Sequence, residues 1–447
     1  MEIARQISLL AIGSFLALAC SGQSSAPPDS GCGDRPSRPG EQLVSLDSES
    51  RFEAEPFLVA RNGDLAILWE ASGCDNRTKV GYTLAGSAGS LAKPQYLLSP
   101  DGQQASNVTA GWDSRGSLFA TWASWTPGPD PERPSASPSD IRIQLVGWPA
   151  GAAGFGPPIE LSETIADQLY DKPWLLVTQD DVILVTYSDL VRGGIWAASS
   201  TDAGQSFRRV LVDSMMANLA ASCPDGRPGG AFVTYFANRT IRLAHTSDGG
   251  ASWSQPQTVA GVASSGEVAY HDPTCVANGD EVWVAYGRTH DDFSMPVERL
   301  LAVEVAHATL GATAPDTVVV ALAAGGAAAT DDTIDGGAPA AYLITPQLGR
   351  RPDGSLVLAA YHAASEDSGA SALVVTFSTD GGRSFAPEHT LSSGLTGTVV
   401  RHVPNWLGDY FGLGSTPAGV GAAFVDNASG LSHVAFIDDI GRPATTQ

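Results

Sequence analysis

Ser200-Thr201-Asp202-Ala203-Gly204-Gln205-Ser206-Phe207 has two near copies. They are Thr246-Ser247-Asp248-Gly249-Gly250-Ala251-Ser252-Trp253 and Ser378-Thr379-Asp380-Gly381-Gly382-Arg383-Ser384-Phe385. All three read Ser/Thr-x-Asp-x-Gly-x-x-aromatic. This is the chemistry of a tight turn. The Asp carboxylate accepts backbone N–H groups, the glycine can take a positive φ, and the aromatic folds back onto a core. Asp202 and Asp248 lie 46 residues apart, the length of one four-stranded repeat unit.

A second pattern recurs with the first. Pro56-Phe57-Leu58-Val59 runs through Asn62-Gly63-Asp64 into Leu65-Ala66-Ile67-Leu68-Trp69: a strand, a turn, and a β-rich strand ending in an aromatic. The same sequence of signals appears over residues 107–122, 173–187, 219–235, 273–286, 342–361 and 409–425. That makes seven units. The last offers a third strand at 432–437 and no fourth, while 42–46 resembles the fourth strands elsewhere and would close the ring, removing exposed edges. The expected fold is an all-β propeller over residues 41–441, closed by its N-terminal strand. Seven four-stranded blades are preferred to six, with an insertion at 325–337.

Composition agrees. Gly 49 and Pro 29 in 447 residues favour turns and short elements over long helices, and 43% hydrophobic residues suffice for a core. The balance of 25 basic to 48 acidic residues gives −23, which excludes a nucleic-acid-binding surface. Only three lysines occur, Lys79, Lys93 and Lys172.

Residues 1–19 read as a lipoprotein-type signal peptide with an apolar stretch at 7–19, too short to span a bilayer. Leu16-Ala17-Leu18-Ala19-Cys20 resembles a lipobox, which makes Cys20 the lipidation site. Residues 20–40, rich in Ser, Pro and Gly, read as a flexible tether. The expected location is the cell envelope, as an outer-membrane lipoprotein or an extracellular protein, with membrane contact only through the lipid. Four cysteines remain, and an even count in an exported chain favours disulfides. The pairings that suit the repeat are Cys32–Cys74 and Cys223–Cys275.

In a four-stranded blade the innermost strand begins on the face where the second strand ends, and the Asp-x-Gly turns lie on the other face. Candidate mouth residues before inner strands are Glu55, Asn107, Asp171, Lys172, Asn218, His271, Asp272, Thr345, Asp409 and Tyr410. After second strands come Glu70, Asp189, Arg192, Arg288, His290, Asp291, His362 and Asp426. Small polar ligands bind in such depressions.

The three turns resemble the Asp-box, or BNR repeat, of sialidase-like β-propellers. There the motif is a folding device away from the ligand, so Asp202, Asp248 and Asp380 are expected to be structural. Asn405-Trp406-Leu407-Gly408-Asp409-Tyr410-Phe411-Gly412-Leu413, with Tyr170-Asp171-Lys172-Pro173-Trp174 and Glu55-Pro56, resembles bacterial exported propellers of that family. Catalytic members have six blades, three arginines on the substrate carboxylate, a Tyr nucleophile with a Glu partner, and an Asp acid/base. By resemblance Tyr410 would be the nucleophile, Glu55 or Glu267 its partner, Asp171 or Asp272 the acid/base, and Arg51, Arg288 and Arg401 the grip. Yet Glu55-Pro56-Phe57 stands where those enzymes carry Phe-Arg-Ile-Pro, and an acid-rich mouth repels an anionic sugar. The favoured reading is therefore a monomeric recognition propeller for a glycan or surface protein. Its ligand-binding set is Glu55, Glu70, Lys172, His271, Arg288, Arg401 and Asp409. A hydrolase of sialosides or neutral glycans is the alternative. No cofactor is required by either; calcium is the one the carboxylates could hold.

Overall fold

The computed structural model describes residues 42–44, 50–73, 77–85, 90–97, 99–100, 102–127, 139–163, 169–261, 268–289, 300–312, 314–323, 342–363, 370–397, 406–416, 418–427 and 432–440. They form seven four-stranded antiparallel sheets and, among the described residues, no helix. From the axis outward, blade 1 is Ser50–Arg61, Asp64–Gly73, Thr78–Ala85 and Gln95–Leu97, and blade 2 is Gln104–Trp112, Leu118–Thr126, Ser139–Trp148 and Ile159–Glu160. Blade 3 is Tyr170–Val177, Ile183–Asp189, Ile195–Ser200 and Arg208–Asp213, and blade 4 is Ala217–Pro224, Ala231–Ala237, Thr240–Thr246 and Gln257–Ala260. Blade 5 is Val268–Asn278, Glu281–Thr289, Ala302–Thr309 and Thr317–Ala323, and blade 6 is Tyr342–Arg350, Leu356–Ala363, Ala370–Ser378 and His389–Gly397. Blade 7 combines Gly412–Thr416, Gly419–Asp426 and His433–Ile437 with the N-terminal strand Gln42–Leu43.

The expected closure is present. Gln42 pairs with Phe436 and Leu43 with Ala435, and Val44 N donates to Val434 O at 2.9 Å. Glu53 of blade 1 fastens the same seam. Its carboxylate accepts from Trp69 Nε1 at 3.2 Å and from Val434 N at 3.4 Å, and His433 Nδ1 lies 3.4 Å away.

Hydrophobic clusters fill the seams between neighbouring blades. The aromatic that ends each second strand sits in them: Trp69, Trp122, Tyr187, Tyr235, Tyr286, Tyr361 and Phe424 are all essentially fully buried. The alternating inward pattern of each strand thus serves two seams, one per sheet face. One expectation shifts. The inner strand of blade 7 starts at Gly412 rather than at Asp409, because Gly412 and Gly414 press their backbone against Leu58 of blade 1.

The Asp-box turns join third to outer strands in blades 3, 4 and 6 and repeat one hydrogen-bond set. Ser200 Oγ donates to Asp202 Oδ1 at 2.7 Å, Ser206 N donates to Oδ1 at 2.9 Å, and Ser206 Oγ donates to Oδ2 at 2.6 Å. Thr246, Asp248 and Ser252 give 2.8, 2.9 and 2.6 Å, and Ser378, Asp380 and Ser384 give 2.8, 3.0 and 2.6 Å. The Ser206 hydroxyl and amide hold the Asp202 carboxyl down at about 2, and Ser384 does the same for Asp380. The turns of Asp202 and Asp380 should therefore keep their bonds at neutral and moderately acid pH and lose them only near pH 2. Phe207, Trp253 and Phe385 pack back onto the seams. Because Asp248 is exposed, Asp248→Ala should cost only about 1–2 kcal/mol, read as a lowered urea midpoint with ligand binding unchanged.

On that same face the turns between inner and second strands are laced to one another. Ser114 of blade 2 donates N and Oγ to Asp181 of blade 3 at 2.6 and 2.7 Å. Gly229 N of blade 4 donates to Asp180 at 2.6 Å, and Arg227 Nη1 donates to Asp280 of blade 5 at 2.8 Å. Cys223 and Cys275, in the inner strands of blades 4 and 5, form a disulfide with Cα atoms 5.7 Å apart. Cys20, Cys32 and Cys74 lie outside the described residues.

Candidate functional site at the propeller mouth

The register places the mouth. In blade 3 Tyr170 pairs with Asp189, while Val177 pairs with Ile183 and Ile183 with Ser200. Inner-strand starts and second-strand ends therefore share one face, and the Asp-box turns occupy the other.

Each inner strand of blades 1 to 6 is broken near its start by a bulge. The register shifts fall between Ala54 and Phe57, Ser106 and Thr109, Asp171 and Trp174, Asn218 and Ala221, Tyr270 and Thr274, and Ile344 and Gln347. Within five of these bulges a non-glycine residue takes a positive φ: Glu55 (51°), Asn107 (56°), Lys172 (51°), Leu219 (61°) and Thr345 (46°). Three of them precede proline, where the backbone is restricted further. Such residues cost about 1–3 kcal/mol each and concentrate at sites that need a side chain re-aimed.

Three of the re-aimed side chains meet. Glu55 of blade 1 takes Asn107 of blade 2 on both carboxylate oxygens: the backbone N donates to Oε2 at 2.8 Å and Nδ2 lies 3.1 and 3.2 Å from the two oxygens. Lys172 of blade 3 sends its ammonium to Asp409 Oδ2 at 2.7 Å, with Glu55 Oε1 at 3.9 Å. Asp409 belongs to the approach to blade 7, so this pair is a chord across the ring that skips blades 1 and 2. A second chord lies beside it. Tyr410 donates its hydroxyl to Val108 O of blade 2 at 2.7 Å, and its ring meets Trp174 edge-on at 5.9 Å. Trp174 also meets Phe57 of blade 1 edge-on at 5.4 Å. The approach to blade 7 thus clasps blades 1 to 3 with a charged layer and an aromatic layer. Gly408, at φ 85°, allows this approach: a Cβ there would stand 2.6 Å from Glu55 N.

Burial governs the electrostatics. Glu55 is 1% exposed, Lys172 6% and Asp409 7%. Desolvation pushes the Glu55 carboxyl up to about 8; Lys172 opposes the rise, Asp409 and Glu70 add to it, and the Asn107 amide opposes it. Near neutral pH Glu55 therefore holds its proton, and Lys172 neutralises Asp409.

Comparison with known structures agrees with this architecture. The solved Hadza microbial sialidase Hz136 matches 89% of this chain and 67% of its own, at 13% identity and a TM-score of 0.50. The leech intramolecular trans-sialidase matches 70% of this chain and 65% of its own (10% identity, TM-score 0.47). The K499G mutant of the NanB sialidase from Streptococcus pneumoniae matches 73% and 68% (9%, 0.47). The seven four-stranded blades and the likeness to Hz136 make the fold that of a sialidase-like propeller. No protein-family model matches the sequence, and no curated protein matches it.

In this sialidase-like propeller the residues expected at the mouth divide into groups. Glu55, Lys172, Asp409 and Tyr410 come together, and Glu70, on the neighbouring strand, acts electrostatically on Glu55. Tyr410 is 2% exposed with its hydroxyl donated inward, an occupation unlike that of a presented nucleophile. Asp171 is half-buried, and its Oδ1 accepts from Lys172 N at 2.8 Å. Arg288 stands apart. Its Nε donates to Glu304 at 2.9 Å and its Nη1 to Gly261 O at 2.6 Å, so its fork is spent within blade 5 and its surroundings. Asp189 caps its own turn, accepting from Val191 N and Arg192 N at 3.0 and 2.9 Å. His271 and Asp272 lie in the blade 5 bulge, but their side chains, like that of Arg51, are outside the described residues. Glu267, His290, Asp291 and Arg401 are outside them altogether. Among the described residues no group of three or more His, Cys, Asp or Glu side chains is placed to hold a metal ion. The sequence reading missed the roles of Val108 and Gly408. A backbone carbonyl leaves no mark in a sequence, whereas the Gly before Asp409-Tyr410 was a signal of close backbone approach.

Proposed function

We propose that this chain is an exported, lipid-anchored recognition propeller that binds a glycan at its mouth without sialidase chemistry. The observation that carries this reading is the occupation of Tyr410: the residue that would be the sialidase nucleophile is buried and donates its hydroxyl to Val108 O inside the clasp. Half-buried Trp174, with Asp171 close by in the chain, supplies the aromatic-plus-carboxylate combination that suits neutral sugars. Export and anchoring rest on the apolar stretch at 7–19 and on Cys20. The mouth is acid-rich, so an anionic sugar is disfavoured.

A hydrolase of neutral glycans is the second reading, favoured by one observation: Asp171, at an inner-strand start, is half-buried rather than sealed in the clasp as Glu55 is. A glycan array probed with the full chain, with and without calcium, separates these. The expected result is retention of neutral glycans, weakened by Asp171→Asn and unaffected by Asp248→Ala. Retention that survives Asp171→Asn, or release of sugar from the array, would overturn it.

A further inference from the structure

We propose that Thr345 and Gln347 of blade 6 form a ligand subsite at the mouth that takes a neutral, hydroxyl-bearing group such as a sugar hydroxyl. Two layers of equivalent side chains encircle the axis just inside the mouth. The first is the positive-φ residue of each bulge, with Glu55, Asn107, Lys172 and Thr345 among them. The second is the first residue to pair after each bulge: Phe57 with Leu68, Thr109 with Thr121, Trp174 with Thr186, Thr274 with Ala285 and Gln347 with Ala359. Both layers converge on the axis. Glu55 and Lys172 approach to 3.9 Å over blade 2, and Phe57 and Trp174 meet edge-on at 5.4 Å over the same blade.

Elsewhere the polar members of these layers hold the ring together. Asn107 donates to Glu55 and Lys172 to Asp409. Thr109 Oγ1 donates to Pro173 O at 3.2 Å and accepts from Leu175 N at 2.9 Å, and Thr274 Oγ1 accepts from Leu348 N at 3.2 Å, so each ties its blade to the next. Blade 6 departs from this pattern. Thr345 Oγ1 and Gln347 Nε2 have no hydrogen-bond partner among the described residues, although Thr345 is 1% and Gln347 5% exposed. A buried polar group left unbonded is destabilising and calls for a partner from outside the chain. Thr345 also holds φ 46°, the one β-branched residue among the positive-φ residues described. Strain and unbonded polar atoms coincide in one bulge, which is where a binding site concentrates them.

The chemistry names the ligand class. Neither side chain is charged, and an anion buried against them would lack a counter-charge. The amide nitrogen donates, and the threonine hydroxyl both donates and accepts, as a sugar hydroxyl does. Half-buried Phe57 and Trp174, on blades 1 and 3 of the same layer, supply the apolar wall on which a sugar ring can rest. This subsite rests on the reading of the mouth as a glycan-binding site and puts that site's unspent hydrogen-bonding groups on blade 6.

The test is an array of neutral glycans probed with the full chain as wild type, Gln347→Met and Thr345→Val, each variant keeping the size of the side chain it replaces. Retention should fall roughly tenfold or more with either variant. The urea midpoint should stay level or rise, because a buried polar atom without a partner has been removed. A lower midpoint for Gln347→Met would show that its amide serves the fold and would overturn the subsite. Wild-type retention that both variants keep would overturn it too and leave the glycan reading standing. Wild-type protein that retains no glycan would overturn both.

Discussion

Lys172→Met should lower the stability of the propeller by about 3–5 kcal/mol at neutral pH. Asp409 is 7% exposed and would lose the ammonium that neutralises it at 2.7 Å. Removing one partner of a buried ion pair leaves the other charge desolvated without that counter-charge, and that penalty exceeds what the pair contributes when whole. Methionine keeps the length and apolar body of the side chain, so packing against Tyr410 and the bulge is largely preserved. The double variant Lys172→Met, Asp409→Asn should recover most of the loss, because neither charge remains. Urea unfolding followed by tryptophan fluorescence checks both: the single variant should shift the midpoint well below wild type, and the double variant should return toward it. Equal midpoints for wild type and Lys172→Met would mean that the chord across the ring carries no weight.

Removing the Cys223–Cys275 bond should cost about 3–4 kcal/mol. The bond closes a loop of 52 residues, the span of blade 4, and loop-closure entropy in the unfolded chain sets the size of the effect. The double variant Cys223→Ser, Cys275→Ser is the cleaner test, since a reductant would also act on Cys20, Cys32 and Cys74. Peptide mapping without reductant should recover the linked pair. Two free thiols at these positions, or a double variant as stable as wild type, would count against the bond.

Most of the architecture was legible because its signals repeat. Three Asp-boxes and an aromatic at the end of every second strand mark the same places in successive blades, and burial at the seams explains why. Trp69, Tyr187 and Tyr361 belong to different blades but fill equivalent gaps. The closure was legible from arithmetic alone, as a missing fourth strand at one end and a spare one at the other. The mouth was legible in position but not in role. Glu55, Lys172, Asp409 and Tyr410 share the face of the inner-strand starts because strand polarity dictates it. That Lys172 reaches Asp409 across two intervening blades depends on the ring's diameter and on bulges that re-aim Glu55 and Lys172. No local pattern encodes a chord. Arg288 shows the same limit from the other side. Its position suggested a ligand, and only the third-strand neighbour Glu304, 16 residues on, shows where its charge is used.

The most direct test of the clasp, as opposed to a catalytic centre, is the initial rate of fluorophore release from a sialoside. It should be measured for the full-length protein and for Tyr410→Phe side by side. The expected result is no release above buffer for either, with Tyr410→Phe unfolding about 1–3 kcal/mol earlier because the buried Val108 carbonyl loses its donor. Turnover by the wild type that Tyr410→Phe abolishes without loss of stability would contradict the account and restore Tyr410 as a nucleophile.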